Sequence, residues 1–263
     1  MQKRFKNNPS ITGALLRLHF HDCGVRGCDA SILIDSDSSK NQISEKDSAP
    51  NLTVRDIVTL ATRDAVALAG GPKYTIPTGR RDGLVSNSSV DLPGPTQPVS
   101  EILRFFRTIG LNKFDMVTLL GAHTVGVAHC SFFQSRVSDF RGTGRPDPTM
   151  DPELVKKLFK LCNTSKPATT LNDVPRTFLD QNTSFIVDNQ YYNQILKKKG
   201  ILKIDQELAL DKLSAPIVAR FANNGNAFRK SFTKSMVKMG NINVLVGDDG
   251  EIRKNCRVFN NPN

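Results

Sequence analysis

The fifteen residues from Arg17 to Ser31, RLHFHDCGVRGCDAS, constrain the chain more than any other stretch. The apolar residues Ile11, Leu15, Leu16, Leu18 and Phe20 lead into it, and they predict a buried helix over 10–22. Ser10, following Pro9, reads as its N-cap. On such a helix Arg17 and His21 lie one turn apart on the same side, with Phe20 flanking them. A neutral imidazole beside a fixed cation can take a proton from an incoming ligand and pass it on, while the cation steadies developing negative charge. Beyond the helix, Asp22, Asp29 and Ser31, with the carbonyls near Val25 and Gly27, make an oxygen-rich cluster of the kind that calcium takes. Cys23 and Cys28 could close the loop between them. They could also suggest zinc, but His19 and His21, two residues apart, diverge on a helix. His19 lies off the Arg17 side and reads as structural.

A chain of 263 residues has room for an ample core in one large domain or two small ones, and neither an internal repeat nor a dividing linker is visible. The patterning is mostly helical with long loops. Apolar spacing predicts helices over 54–69, with Thr53 as cap, then 99–109, 113–121 with Asp115 near its start, 152–161, 189–199, 214–222 and 226–239. Tyr74–Pro77 reads as a short strand leading into the Gly79–Gly83 turn, and residues 164–189 read as irregular. A formal charge of +11 favours acidic partners: nucleic acid, an anionic membrane surface or an acidic polysaccharide. The basic residues are scattered rather than interleaved with aromatics, which ranks nucleic acid last. No stretch approaches the roughly 20 apolar residues of a membrane span. The opening MQKRFKNNPS is charged with no apolar core behind it, so it does not read as a secretory signal. Acceptor patterns for N-glycosylation at Asn51, Asn87, Asn163 and Asn182 nevertheless lean toward a secretory protein. Five cysteines, at 23, 28, 130, 162 and 256, leave at least one unpaired.

A second chemical stretch is Gly121-Ala-His-Thr-Val-Gly, where small neighbours of His123 would let a flat cofactor or a backbone come close. Taken with Arg17 and His21, one histidine able to bind a metal and another paired with arginine make a haem peroxidase arrangement. The chain resembles the plant secretory (class III) haem peroxidases from about residue 10 to its end. RLHFHDCGVRGCDAS, EKDSAPN, GRRDG, LPGP, GAHTVGVAHC, VDNQYY, IDQEL and GEIRKNC stand in that family's order.

The resemblance implies a mostly α haem peroxidase fold over 1–263. Its distal half (about 1–110) and proximal half (about 111–245) would sandwich one haem b, followed by a tail over 246–263. It implies His21 as distal acid–base, Arg17 as distal arginine, Phe20 packed over the haem edge, and Asn51 orienting His21. His123 would be the iron ligand, Asp205 would accept its other N–H, and Pro93 would line the aromatic-donor site. One Ca2+ would be held by Asp22, Val25, Gly27, Asp29 and Ser31, with Glu45 close by. A second would be held by Thr124, Asp180, Thr183, Ile186 and Asp188. Disulfides Cys23–Cys28 and Cys130–Cys162 are implied, with Cys256 unpaired. Asp56 and Arg80 resemble a buried ion pair that ties two segments together, and His129 falls either near a haem propionate or on the surface. The activity implied is reduction of hydrogen peroxide with two phenolic donors each giving one electron. The implied protein is secreted (extracellular or vacuolar), likened to a monomer that needs no nucleic acid and no membrane.

The chain departs from the family in three ways. The family's signal peptide and its N-terminal segment with a Cys are missing. Gly24 stands where the family usually has Phe. Arg55 joins Asp56 directly where the family has a further helix and two Cys, so Cys256 loses its partner. The competing reading is a non-catalytic, truncated relative, either unstable or acting as a basic binder of acidic cell-wall polysaccharide.

Overall fold

The computed structural model describes residues 1–35, 55–86, 91–163 and 174–260. Among these the chain is mostly helical. The helices are α1 (Gln2–Asn7), α2 (Ile11–Val25), α3 (Arg55–Leu68), α4 (Val99–Thr108), α5 (Lys113–Leu120), α6 (Gln134–Ser138), α7 (Pro152–Cys162), α8 (Gln190–Leu196), α9 (Lys203–Leu210), α10 (Ala215–Asn223) and α11 (Gly225–Met239). Two three-residue strands, β1 (Val127–His129) and β2 (Arg176–Phe178), pair antiparallel with Val127 opposite Phe178. The chain divides into two compact units: residues 1–92, 107–111 and 233–263, and residues 93–106 and 112–232.

In the first unit α2 packs on α3. Leu18 of α2 and Val58 of α3 meet Ala30, Ile32 and Leu33 in one buried cluster. The two helices are also stitched by polar contacts: Thr62 donates to the Leu15 carbonyl at 3.2 Å, and Thr12 to that of Ala65 at 3.4 Å. Burying both hydroxyls against carbonyls avoids the penalty of unpaired polar groups in a core. The loop after α2 is held by the C-terminal segment. Cys28 N–H donates to the Ile242 carbonyl at 3.0 Å, and buried Arg253 donates to the carbonyls of Ala30 (2.8 Å) and Gly83 (2.9 Å). Arg253 N–H also reaches Asp82 Oδ2 at 3.1 Å, which joins GRRDG to GEIRKNC. Gly27 takes φ +116°, and a Cβ there would lie 2.5 Å from that of Asn243, so only glycine fits.

In the second unit α8, α9 and α10 pack on one another around an aromatic core. Tyr192, Phe221 and Phe228 meet with ring centroids 5.2–5.8 Å apart, and Phe232 extends the row at 5.4 Å. Their edge-to-face and tilted geometries suit aromatic quadrupoles. Tyr192 satisfies its buried hydroxyl on the Val117 carbonyl at 2.9 Å. Asn112 begins α5 with a reciprocal cap: its side chain accepts from Phe114 and Asp115 N–H, while Asp115 accepts from Asn112 N–H at 3.0 Å. Asp151 caps α7 at Leu154 N–H, with Pro152 in the first turn.

Several sequence-based expectations fail locally. Ser10 stands at the start of α2 but caps nothing. Its backbone is itself helical (φ −63°, ψ −14°), and the first amides of α2 go to the Asn8 and Pro9 carbonyls. Tyr74–Pro77 forms no strand; Pro77 offers no N–H for a ladder, and regular pairing is limited to single bridges, Arg81–Leu245 and Asp82–Glu251. The irregular region 164–189 contains β2, and α1, α6 and α9 were not anticipated. Thr53 lies outside the described residues.

Candidate active site and cation sites

α2 carries the first constellation. Arg17 Nε donates to His21 Nε2 at 3.2 Å, the contact that an i, i+4 pair on one helix face allows. Burial, then the charge of Arg17, lowers the His21 pKa from 6.5 to about 4. The imidazole is therefore neutral at ordinary pH, with Nε2 an acceptor and the proton on Nδ1. Buried His21 Nδ1 has no hydrogen-bond partner among the described residues. Phe20 stands edge-on to His21, with ring centroids 6.1 Å apart. His19 is buried, its Nδ1 3.7 Å from Cys23 Sγ, away from Arg17.

The loop that follows is closed by a Cys23–Cys28 disulfide. It buries Asp22, Asp29 and Ser31 together. Asp29 Oδ1 accepts from Ser31 N–H at 3.0 Å and from its hydroxyl at 2.5 Å. Glu45 and Asn51 lie outside the described residues. Among those described, no three His, Cys, Asp or Glu side chains gather as a metal-ligating group, so a cation here would lean on hydroxyl and carbonyl oxygens.

In the second unit, a single 3-10 turn, Gly121–Thr124, follows α5 and presents His123. Gly121 is required by close approach, since a Cβ would lie 2.2 Å from the Tyr192 hydroxyl. His123 Nδ1 lies 2.8 Å from Asp205 Oδ1, on the first turn of α9. The carboxylate accepts only, so the proton sits on Nδ1 and Nε2 keeps its lone pair. The His123 side chain is 29 % exposed whereas Asp205 is 2 % exposed, so the ligating end of the pair is the accessible one. Those features fit a metal-ligating histidine with a buried carboxylate behind it. α9 is itself anchored: buried Arg136 donates to the carbonyls of Gly200, Ile201 and Leu202 at 2.7–2.9 Å and to Asp147 Oδ2 at 2.8 Å. The Leu92–Pro98 loop joins the same helix start, where Ile204 N–H reaches the Pro95 carbonyl at 3.1 Å; half-buried Pro93 lies in this loop.

Residues Thr124, Asp180, Thr183, Ile186 and Asp188 converge. Thr124 Oγ1 lies 3.4, 3.2 and 3.3 Å from Asp180 Oδ2, the Ile186 carbonyl and Asp188 Oδ1. Thr183 Oγ1 lies 3.2 and 3.1 Å from the same two carboxylates. Two hydroxyl protons cannot serve five such approaches. The cluster holds oxygens in excess of protons, which is the chemistry a hard cation satisfies. Asn182 and Thr183 N–H and the Gln194 amide brace Asp180 Oδ1, and Gln190 N–H braces Asp188.

Other predicted residues are placed as follows. Cys130 and Cys162 form the second disulfide, and Cys256 is free. Arg80 Nη1 pairs with Asp56 Oδ1 at 3.2 Å, while Gly79 N–H takes Asp56 Oδ2 at 2.8 Å. His129 ends β1, half-buried. Gly24 is buried within α2, and Gly83 N–H holds the Asp29 carbonyl at 2.7 Å. Tyr191, Gln194 and Arg136 carry contacts to these sites that spacing does not reveal, because their partners are distant in sequence.

A carboxylate-backed histidine in one unit and an arginine–histidine helix face in the other are each features of the haem peroxidases. The sequence profile described as Peroxidase matches residues 1–224. Peroxidase 57 of Arabidopsis thaliana is 50 % identical over 99 % of this chain and 86 % of its own length. Peroxidase 44 of the same plant is 51 % identical over 98 % and 86 %, and Peroxidase 28 is 47 % identical over 99 % and 87 %. The chain belongs to the peroxidase family, among the plant haem peroxidases, and is a peroxidase enzyme. The family implies haem, hydrogen peroxide and a reducing substrate. The alignment with Peroxidase 57 spans 284 positions against the 263 residues of this chain, so 21 or more of its positions have no residue here. No helix among the described residues is long and apolar enough to cross a membrane.

Proposed function

We propose that the chain reduces hydrogen peroxide at a haem b ligated by His123 and draws electrons singly from small phenolic donors. The observation that carries this reading is the 2.8 Å bond from His123 Nδ1 to buried Asp205, which frees Nε2 as a strong donor toward iron. When bound, the haem supplies the redox centre at which the peroxide O–O bond is cleaved. His21 Nε2 takes a proton from one peroxide oxygen and returns it to the other, and neutrality at ordinary pH suits it to the first of these steps. Arg17 stabilises the negative charge that develops as the oxygens separate. Phe20 limits what else reaches the peroxide, and Pro93 lines the approach of the phenol. The family's role for Asn51, which lies outside the described residues, is to accept a hydrogen bond from His21 Nδ1–H, and the described residues offer that N–H no partner.

Two Ca2+ ions brace these groups. Asp22, Val25, Gly27, Asp29 and Ser31 would hold one; Glu45, which the resemblance assigns beside it, lies outside the described residues. The other sits in the cluster of Thr124, Asp180, Thr183, Ile186 and Asp188. The second is supported by its surplus of acceptor oxygens beside His123. We infer that the missing positions fall at the Arg55–Asp56 join, where the family's further helix and two Cys would stand, and that the partner of Cys256 goes with them. The protein acts outside the cell or in the vacuole, a location that exposed acceptor asparagines Asn163 and Asn182 support, and does so as a monomer; the +11 charge supports retention on acidic wall polysaccharide.

The test is a hemin titration of refolded protein with calcium. Wild type should develop a histidine-ligated Soret band and oxidise guaiacol, and His123→Ala should lose that ligation. Stable folding with no hemin uptake would contradict the reading. Retention on pectate beads that persists in haem-free protein would separate polysaccharide binding from catalysis.

A further inference from the structure

Asp205 Oδ1 is shared. It accepts from His123 Nδ1 at 2.8 Å and also from the hydroxyl of Tyr191 at 2.9 Å. Tyr191 is buried on α8, and its ring stands at 85° to His123 with centroids 6.1 Å apart. It is the first tyrosine of VDNQYY, whose Asp188 belongs to the cation cluster while neither tyrosine takes part in the peroxide reaction. Its neighbour Tyr192 turns to the Val117 carbonyl instead, so the two tyrosines are not equivalent.

Two donors on one carboxylate oxygen compete. A hydroxyl donating to Asp205 stabilises the carboxylate's negative charge and lowers its affinity for the His123 proton. The less the carboxylate draws on Nδ1–H, the less anionic the imidazole and the weaker its donation from Nε2. Asp205 is buried, and in a low-dielectric setting both bonds are stronger than they would be in water. The arrangement therefore sets His123 at an intermediate donor strength, below what Asp205 alone would confer.

We infer that Tyr191 is a positioning residue that tunes His123 through Asp205 and raises the reduction potential of the iron the histidine holds. The inference rests on His123 being the axial ligand. A tyrosine hydroxyl is protonated at ordinary pH and so remains a donor to Asp205. Tyr191 touches neither the peroxide nor the iron.

The test uses holoenzyme and two readouts other than turnover: the iron midpoint potential and the iron–histidine stretching band of the reduced protein. Tyr191→Phe removes one oxygen and keeps the ring. It should lower the midpoint potential and raise the stretching frequency. Site-specific 3-fluorotyrosine at 191, a stronger donor of the same shape, should shift both the opposite way and keeps the inference testable if the Phe variant folds poorly. In an Asp205→Ala background, Tyr191→Phe should move neither. A structural role alone would change the melting temperature and leave potential and frequency fixed, and that result would overturn the inference. A wild-type protein with no iron–histidine band would instead overturn the assignment of His123.

Discussion

His21 shows how a helix sets the chemistry of one side chain. Its neutrality arises first from burial and second from Arg17 one turn away. The sign follows directly: protonation switches off proton acceptance, so the rate of reaction with peroxide should fall as pH drops through about 4, not through 6.5. Arg17→Leu removes the repelling charge and should move this acid limb upward, part of the way to 6.5, measured as the pH profile of peroxide consumption. An unchanged limb would mean that the guanidinium does not act on the imidazole. The same shift makes the folded state lose stability as pH falls from 6.5 to about 4, where the unfolded chain binds the extra proton and the folded chain does not. This pair was legible in the sequence because i, i+4 spacing on an apolar helix leaves little choice of geometry. The shared oxygen of Asp205 was not. Tyr191 and His123 reach it from α8 and from the turn after α5, and no local period records such a meeting.

At the scale of elements, the oxygen cluster around Thr124 joins the turn that bears His123 to the segment before α8. Calcium at about a hundred times its dissociation constant should stabilise the holoenzyme by about 2.7 kcal/mol. A calcium chelator should remove that gain, and Asp188→Ala should reduce the calcium dependence of the melting temperature to the part due to the site after α2. A melting temperature indifferent to calcium would rule the cluster out as a cation site. The Cys130–Cys162 bridge closes a span of 32 residues, and replacing both with Ser should cost about 2–5 kcal/mol in denaturant unfolding. With two disulfides among five cysteines, a thiol reagent should find one reactive group per native chain, Cys256; two or more would contradict the pairing. Long amphipathic helices such as α3 and α11 were readable from their spacing. α1, α6, β1 and β2 span only three to six residues, too few to display a period, and tertiary contacts rather than propensity create them. Tyr74–Pro77 erred the other way: its composition suits a strand, but Gly79 and Arg80 are tied to Asp56 and no partner strand is offered among the described residues.

For the whole molecule, the fold class followed from motifs in a fixed order, and the structure explains part of that order. GRRDG and GEIRKNC are distant in sequence yet meet through Asp82 and Arg253, and Arg253 reaches on to the loop that follows α2. IDQEL supplies Asp205 to the histidine of GAHTVGVAHC. The positions lacking relative to Peroxidase 57 leave both arrangements standing. This chain is thus expected to keep working peroxide chemistry although 21 or more positions of its alignment with Peroxidase 57 have no residue in it. Rapid mixing of the hemin-loaded protein with hydrogen peroxide, followed in the Soret band, tests it most directly. Wild type should react with a rate proportional to peroxide, and His21→Ala should be slower by roughly 10²–10⁴-fold at unchanged hemin content. Equal rates in the two proteins, or no peroxide-dependent change in either, would contradict it.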